Sequence, residues 1–382
     1  MMRARLSADF ERFKRGLPRD FVAYVREAYK VDLTARYLGF TLPHPIGKGS
    51  GQLSLNADQL EADCAAGLAF VVLKTLIAED ETGRRSMEAW ATHETRMAVE
   101  RRQSAEGREG WTVTWKGRGW DRSLADYLQL VRAGRDFTNA GRAGMVVVPS
   151  VKYHLPRLGE PFREGEYDYT TRQLAQAWGA GPLPLEKDFS PTLAGDPLAD
   201  EQARILRWVA DVPARIRAHA PHGARVALKL MNTRFDDEFQ VQMLGAASNA
   251  DGAVAFNRLF DPERGVAYGG WDLSDRNLRV LGLAIARQMP RPPLTGTGNI
   301  GSGSVLLDYA RLGCQSVQLH TFFQLPLSAY PATEGSRTQR ALHALVFHPK
   351  DGLVASMLEL ADQGFLERRG GEFHFLDVVG GL

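Results

Sequence analysis

A glycine-rich loop near the C-terminal end of the chain has the residue types of a phosphate-binding turn. Residues 293–304 read Pro-Leu-Thr-Gly-Thr-Gly-Asn-Ile-Gly-Ser-Gly-Ser, and a second apolar run follows at 316–323. Its glycines are at positions 296, 298, 301 and 303. Glycines let the backbone approach an anion closely and turn its N–H groups toward it, and a helix beginning near Ser302 would add its positive end. The loop predicts a phosphate cradle; a plain turn between a strand and a helix is the alternative.

Two lysines lie within apolar runs, where a charge needs a partner. Lys74 follows Val-Val-Leu, and Lys229 stands between Ala-Leu and Leu-Met. Burying an unpaired ammonium is costly, so the two together indicate a bound anion or an electron-rich cofactor. The alternative for each is a lysine that extends from a strand end into water.

Short apolar runs alternate with amphipathic stretches along the chain. The predicted strands cover residues 43–47, 68–73, 145–150, 183–189, 226–231, 252–256, 293–297 and 316–320. Predicted helices between them cover 57–66, 123–133, 202–218, 236–247, 281–288 and 305–312. Continuous apolar strands that alternate with helices are typical of a parallel sheet covered by helices. Eight such units predict an α/β fold, a (β/α)8 TIM barrel, as a single domain over residues 1–382.

Segments outside this repeat predict extensions and insertions. Residues 1–37 form an N-terminal helical extension, and 331–382 form a helical tail that ends in a hairpin around Gly370-Gly371. The connections 77–120 and 152–169 are long and follow strands, so they are candidates for a lid over the catalytic face. A surface excursion or an oligomer contact is the alternative for them. The N-terminal helices are expected to pack on the chain or to form a homodimer.

Composition excludes several classes of protein. The formal net charge is +2, which requires no nucleic-acid partner. We find no apolar run long enough for an integral membrane segment and no apolar secretory signal, so a cytoplasmic protein is expected. Two cysteines cannot form a disulfide framework or a cysteine-only metal site, and no metal site is predicted.

Several segments in order resemble the dihydroorotate dehydrogenase family. The segment 38–51 is similar to the family's opening hairpin and first strand, and 69–75 to its second strand with the flavin-side lysine. The segment 185–192 resembles the strand Glu-x-Asn-x-Ser-Cys-Pro-Asn, and 228–236 resembles Val-Lys-x-x-Pro-x-Phe-Asp. The similarity extends from about residue 33 to about residue 325 and covers most of the chain.

The resemblance implies an FMN-binding barrel that transfers hydride between flavin N5 and a carbon of a small-molecule substrate. It places the flavin phosphate at Gly298, Asn299, His320 and Thr321, with Gly269 and Gly270 forming a wall. It places Lys74, Lys229 and Ser50 at the isoalloxazine ring, and it makes Gly49 a further cofactor-binding residue and Asn257 a residue that binds both cofactor and substrate. A cation there would stabilise the charge of a reduced flavin. The electron acceptor is not implied.

The substrate lining departs from the family pattern. The family's catalytic base is a Cys or Ser in the loop after the fourth strand, and Ser190 is either that base or the structural serine before it. Of four asparagines that hold orotate, the chain has Asn257, whereas Trp115, Asp188 and Thr192 stand at the other positions. We therefore expect a cyclic or unsaturated substrate other than dihydroorotate.

Two alternatives to the oxidoreductase stay open. A lyase or aldolase could use the same phosphate cradle, with Lys74 or Lys229 as its reactive amine. A non-catalytic flavin-binding homologue is the other alternative.

Overall fold

The computed structural model describes most of the chain. It covers residues 2–87, 96–104, 107, 109–116, 119–139, 145–157, 159–189, 202–261, 263–270 and 272–381. The strands are Val31–Asp32 (β1), Ala35–Tyr37 (β2), Phe40–Leu42 (β3), Ile46–Lys48 (β4), Phe70–Val72 (β5), Leu76–Ile77 (β6), Arg96–Gln103 (β7), Glu109–Lys116 (β8), Val146–Val148 (β9), Ser150–Lys152 (β10), Leu183–Asp188 (β11), Ala224–Met231 (β12), Gly252–Asn257 (β13), Leu259–Asp261 (β14), Val266–Gly270 (β15), Leu294–Gly296 (β16), Cys314–Leu319 (β17) and Phe373–His374 (β18).

The helices fall between these strands and in the two terminal segments. They are Met2–Arg12 (α1), Phe21–Tyr29 (α2), Ala57–Ala65 (α3), Leu124–Asn139 (α4), Glu164–Trp178 (α5), Gln202–Ala218 (α6), Asp237–Ala246 (α7), Leu273–Ala286 (α8), Gly303–Arg311 (α9), Arg337–Phe347 (α10), Leu353–Asp362 (α11) and Phe375–Val378 (α12). Helix α5 was not predicted, and it begins inside the long connection 152–169. Helices α2, α3, α7, α9 and α10 each begin after an Asp, Asn or Ser whose side chain accepts a backbone N–H bond.

A curled parallel sheet of ten strands, surrounded by helices, forms the body of the molecule. Its hydrogen-bonded order is β6, β10, β11, β12, β13, β16, β17, β4, β5 and β9. The prediction of an α/β fold with a parallel sheet is confirmed. The predicted count of eight strands closed into a ring is not met, because the sheet has ten strands and its order is open.

Two interruptions account for the difference in strand count. The Lys74 N–H donates to the Ser54 carbonyl at 3.0 Å, outside the sheet, and the Thr75 carbonyl accepts from Trp120 N–H. The chain returns to the sheet as β6, beyond the end of the strand predicted at 68–73. Pro149 has no N–H to donate, and it divides the third predicted strand into β9 and β10.

The strands of this sheet are buried on both faces, as their continuous apolar runs predict. An antiparallel hairpin, β2 with β3, packs against one end of the core, where the ring of Tyr37 stacks on Phe70 at 4.4 Å. A side chain at Gly47 would come within 2.2 Å of Phe70, so this contact requires glycine.

The terminal segments pack on each other. Phe10 of α1 stacks on His343 of α10 at 4.5 Å, so the N-terminal helix packs within the chain. Strand β1 pairs in parallel with β18. At the predicted hairpin, a single antiparallel bridge joins Arg369 to Glu372 across Gly370-Gly371, and the residues that follow pair with β1.

Two insertions meet in a second, antiparallel sheet with the order β14, β15, β8 and β7. We call these four strands the roof sheet. Strands β7 and β8 come from the 77–120 connection, and β14 and β15 follow β13. Within the described residues, no helix combines the length and apolar character that crossing a bilayer requires.

Candidate active site

A cavity of about 550 Å³ lies at the carboxyl ends of the parallel strands, beneath the roof sheet. This volume is in the range of pockets that hold cofactors. All of the residues predicted to bind a cofactor line it: Gly49, Ser50, Lys74, Lys229, Asn257, Gly269, Gly270, Gly298, Asn299, His320 and Thr321.

The predicted substrate and base residues are only partly described. Asp188 and Asn257 line the cavity. Trp115 belongs to β8 and its backbone pairs with Ala267, but its side chain lies outside the described part of the chain. Ser190 and Thr192 also lie outside the described residues.

The loop after β16 turns its backbone N–H groups away from the protein core. The buried Tyr309 hydroxyl donates to the carbonyls of Thr297 and Gly298, each at 2.9 Å, and the Asn277 amide also donates to Thr297. A carbonyl and the N–H that follows it point in opposite directions across a trans peptide. The N–H groups of Gly298 and Asn299 therefore point away from Tyr309. Both residues have left-handed backbones, with φ of 104° and 48°.

Helix α9 begins directly after this loop and adds its positive end. The Ser302 side chain caps the helix by accepting the Val305 N–H at 3.2 Å. Gly303 packs against the start of α11, where a side chain would lie 1.9 Å from Leu353 N. Backbone atoms of Gly352 and Leu353 leave no room for a side chain at Gly303. The start of α9 therefore packs closely on the start of α11, beside the cavity.

The Ser304 N–H donates to the Asp351 carbonyl at 2.9 Å, so the N–H groups of Ser304 and Val305 are bonded within the protein and the helix contributes its dipole. The loop N–H groups together with this dipole suit a phosphate group.

The floor of the cavity carries more positive than negative side chains. Lys74, Lys152, Lys229 and Arg258 all line it. Burial, followed by repulsion from Arg258, lowers the pKa of Lys74 to about 7. Burial also lowers the pKa of Arg258 to about 9. The floor is thus suited to an anionic or electron-rich ligand.

Two carboxylates stand among these cations. Asp188 Oδ2 lies 3.4 Å from Lys152 Nζ, and Glu186 Oε1 lies 3.6 Å from Lys229 Nζ. Burial alone would raise the Asp188 pKa, but the positive charges around it, Lys152 first, hold that pKa below its usual range. Burial has the larger effect on Glu186 and raises its pKa, against the attraction of Lys229.

A chain of hydroxyl groups joins the cavity wall to Glu186. Ser50 Oγ lies 2.7 Å from Thr75 Oγ1, which lies 3.1 Å from Ser150 Oγ. Ser150 Oγ donates to Glu186 Oε1 at 3.4 Å. Ser50 and Thr75 line the cavity, whereas Ser150 and Glu186 are fully buried.

His320 is held next to the first strand. A side chain at Gly51 would come within 1.8 Å of its Nε2, so the imidazole occupies the space that glycine leaves. Burial, followed by the charge of Arg258, lowers the His320 pKa well below its usual value. The ring is therefore neutral near pH 7, with one nitrogen as donor and one as acceptor.

The roof sheet contacts the glycine loop directly. A side chain at Gly110 would lie 2.2 Å from Asn299 Oδ1. Gly270 has a φ of 84°, and a side chain there would lie 1.8 Å from the Trp111 carbonyl. Thr112 Oγ1 donates to the Gly269 carbonyl at 2.9 Å. Residues of β8, from the 77–120 segment, therefore line the cavity together with the glycine loop.

Sequence reasoning missed four polar residues of this site. Lys152 and Arg258 each lie two residues beyond a predicted strand end. Glu186 and Gln318 are polar side chains inside apolar strands, and Gln318 Nε2 donates to Glu186 Oε2 at 2.7 Å. Polar residues within such runs were the available signal, because burying them requires a partner.

Comparisons with known proteins add no family. Neither a scan against models of known protein families nor a search of curated proteins finds a match to this chain. Among the residues described, no cluster of His, Cys, Asp and Glu has the arrangement of a metal site.

Proposed function

We propose that the chain is an FMN-dependent oxidoreductase that acts on a carbon–carbon bond of a small cyclic or unsaturated molecule, as its resemblance to dihydroorotate dehydrogenases implies. The observation that carries the proposal is the meeting of two features in one cavity. The glycine loop with its helix start and the buried Lys74 and Lys229 all line this cavity. A flavin mononucleotide has a phosphate and an electron-rich ring at its two ends.

The residues present fit this cofactor. The N–H groups of Gly298 and Asn299 would hold the phosphate, the positive end of α9 would add to the attraction, and Thr321 lines the same cavity. Lys229 and Lys74 would face the ring, where cations stabilise the negative charge of the reduced form. When bound, FMN supplies a hydride acceptor or donor. Residues of the roof sheet would form one wall of the cofactor site.

We further propose that the ten strands constitute a (β/α)8 barrel in which two strands are each interrupted. Leu73 N–H donates to the Val148 carbonyl, and Ala78 N–H donates to the Lys152 carbonyl, both at 2.9 Å. These bonds link the two halves of the second strand to the two halves of the third. Glu186 N–H also donates to the Pro149 carbonyl at 2.9 Å, across the interruption.

Other parts of the function stay predictions. Ser190 would accept the substrate proton, and Asp188, Thr192, Trp115 and Asn257 would contact the substrate. Asp188 differs from the asparagine of the family and favours a substrate with hydrogen-bond donors, because an ionised carboxylate only accepts. The electron acceptor is not predicted. The cytoplasmic location and the homodimer stay predictions from the sequence.

The absorbance spectrum of the purified protein tests the proposal. We expect a flavin spectrum, release of FMN on denaturation, and bleaching when a suitable substrate is added. Colourless protein that takes up no added FMN would refute the flavin assignment.

A second candidate is an aldolase or lyase that binds a phosphorylated substrate. It is favoured by the lowered pKa of Lys74, about 7, because an amine that is partly neutral at pH 7 is a nucleophile. Borohydride reduction in the presence of a phosphorylated aldehyde or ketone would trap an adduct on Lys74. The flavin assignment instead expects no adduct.

A further inference from the structure

The hydroxyl chain from Ser50 to Glu186 has the geometry of a path for a proton. Three hydroxyl groups and one carboxylate lie in series, with 2.7, 3.1 and 3.4 Å between successive oxygens. The outer hydroxyl is half-buried in the cavity wall, and the inner carboxylate is fully buried. A ligand in the cavity can therefore reach one end of the series while solvent cannot reach the other.

Hydroxyl groups conduct protons because each can donate and accept at once. With Glu186 ionised, Ser150 donates to it, Thr75 donates to Ser150, and Ser50 donates to Thr75. The Ser50 oxygen then presents lone pairs to the cavity. With Glu186 protonated, every bond reverses and Ser50 presents its hydrogen to the cavity.

The surroundings of Glu186 raise its pKa above the ordinary carboxyl value. Burial raises its pKa, Lys229 at 3.6 Å opposes that effect, and the negative charge of Asp188 adds to it. The phenols of Tyr37 and Tyr127 also face the carboxylate. A pKa moved from the usual carboxyl value toward neutrality suits proton transfer at neutral pH.

We propose that Glu186 stores a proton that enters or leaves the cavity through Ser150, Thr75 and Ser50. In the inward direction Ser50 Oγ takes a proton from a group in the cavity and passes its own to Thr75. Thr75 passes its proton to Ser150, and Ser150 passes its proton to Glu186. One proton moves in total, no electrons move, and each hydroxyl is left intact with its orientation reversed.

This inference rests on the proposed function only in requiring that a proton be moved in this cavity. Any reaction there that releases or consumes a proton would use the same path. The chain of oxygens consists of the protein's own groups, so its behaviour can be measured without a bound flavin.

Infrared difference spectroscopy of the full-length protein tests the relay, because a protonated carboxyl has its own C=O band. Glu186→Gln assigns that band by removing it. Transfer into deuterium oxide then shifts the band as deuterium replaces the proton, and stopped-flow mixing gives the exchange rate. Amide exchange in the same samples reports whether the fold has opened.

Substitutions at Thr75 separate the path from the fold. Thr75→Val keeps the shape of the side chain and removes the hydroxyl, whereas Thr75→Ser keeps the hydroxyl. The matched control is Thr295→Val, which removes a buried hydroxyl that bonds Ser316 at 3.0 Å, elsewhere in the sheet. We expect exchange at Glu186 to slow about tenfold or more in Thr75→Val. Thr75→Ser and Thr295→Val should stay near the wild-type rate.

Two results would overturn the relay. One is the absence of any band that Glu186→Gln removes, at every pH at which the chain is folded. The other is an equal exchange rate in Thr75→Val and Thr75→Ser. Neither result depends on flavin content, so a colourless protein with slowed exchange would refute the cofactor and leave the relay standing.

Discussion

Replacing Gly298 by alanine should destabilise the chain more than the same change three residues later. Gly298 has a φ of 104°, and an added Cβ would lie 2.5 Å from Asn277 Nδ2 and 3.2 Å from Leu273 Cβ. Asn277 is fully buried and cannot move without losing bonds, because its amide donates to the carbonyls of Phe256 and Thr297.

The expected loss of stability follows from two costs. A left-handed backbone costs a residue with a side chain about 1–2 kcal/mol. Displacing the Asn277 amide weakens two hydrogen bonds, at about 1 kcal/mol for each. We therefore expect Gly298→Ala to lower the free energy of unfolding by about 3–4 kcal/mol. The N–H groups of the loop should move with the backbone, so the variant should also retain less FMN.

Gly301→Ala is the matched control within the same loop. A Cβ at Gly301 meets no described atom within 4 Å, and its φ lies outside the left-handed region. Its free energy of unfolding should stay within about 0.5 kcal/mol of the wild type. Urea unfolding of protein stripped of any cofactor measures both variants. Equal free energies of unfolding for Gly298→Ala and Gly301→Ala would refute the prediction that the loop requires glycine at position 298.

Three further outcomes are expected. Lys48→Met should lower the free energy of unfolding by about 3 kcal/mol without changing flavin content, because Lys48 is buried 2.6 Å from Asp63 and does not line the cavity; an unchanged urea midpoint would contradict this. Burial, and then Arg258, hold the Lys74 pKa near 7, whereas its unfolded value is 10.5, so between these values the unfolded chain binds more protons. Wild-type stability should therefore rise with pH across that interval by up to about 1.4 kcal/mol per unit, and Lys74→Met, measured by urea unfolding at several pH values, should lack the rise. Ser190→Ala should slow substrate-dependent flavin reduction about a hundredfold while the flavin stays bound; full turnover in stopped-flow assays would exclude Ser190 as the base.

The cavity residues were predictable where strand ends could be read from apolar runs. Lys74, Lys229 and His320 end or interrupt such runs, and side chains at the carboxyl ends of parallel strands converge. Lys152 was missed because Pro149 suggested a strand end at Ser150, whereas the strand resumes and continues to Lys152. Because the predicted strand ended two residues too early, Lys152 was not recognised as a residue of the cavity.

The roof sheet was predictable only in part. Strand β8 alternates large apolar residues, Trp111, Val113 and Trp115, with threonines, which is typical of a half-buried strand. Its partner β15 lies about 150 residues further along the chain, and one sequence carries no local signal for such a pairing. The number of sheet strands likewise depended on two local interruptions, the bond from Lys74 N–H to Ser54 and the missing N–H of Pro149, which apolar periodicity does not report.

The pairing of Trp115 with Ala267 has a consequence for the order of assembly. During synthesis the ribosome releases β8 long before β15, so the enclosure above the cavity must wait until roughly the first 270 residues have emerged. Capture of a ligand would then be a late step of biogenesis. A chain split anywhere between these two strands would leave each fragment with half of the cover, and flavin retention would report when the two halves have rejoined.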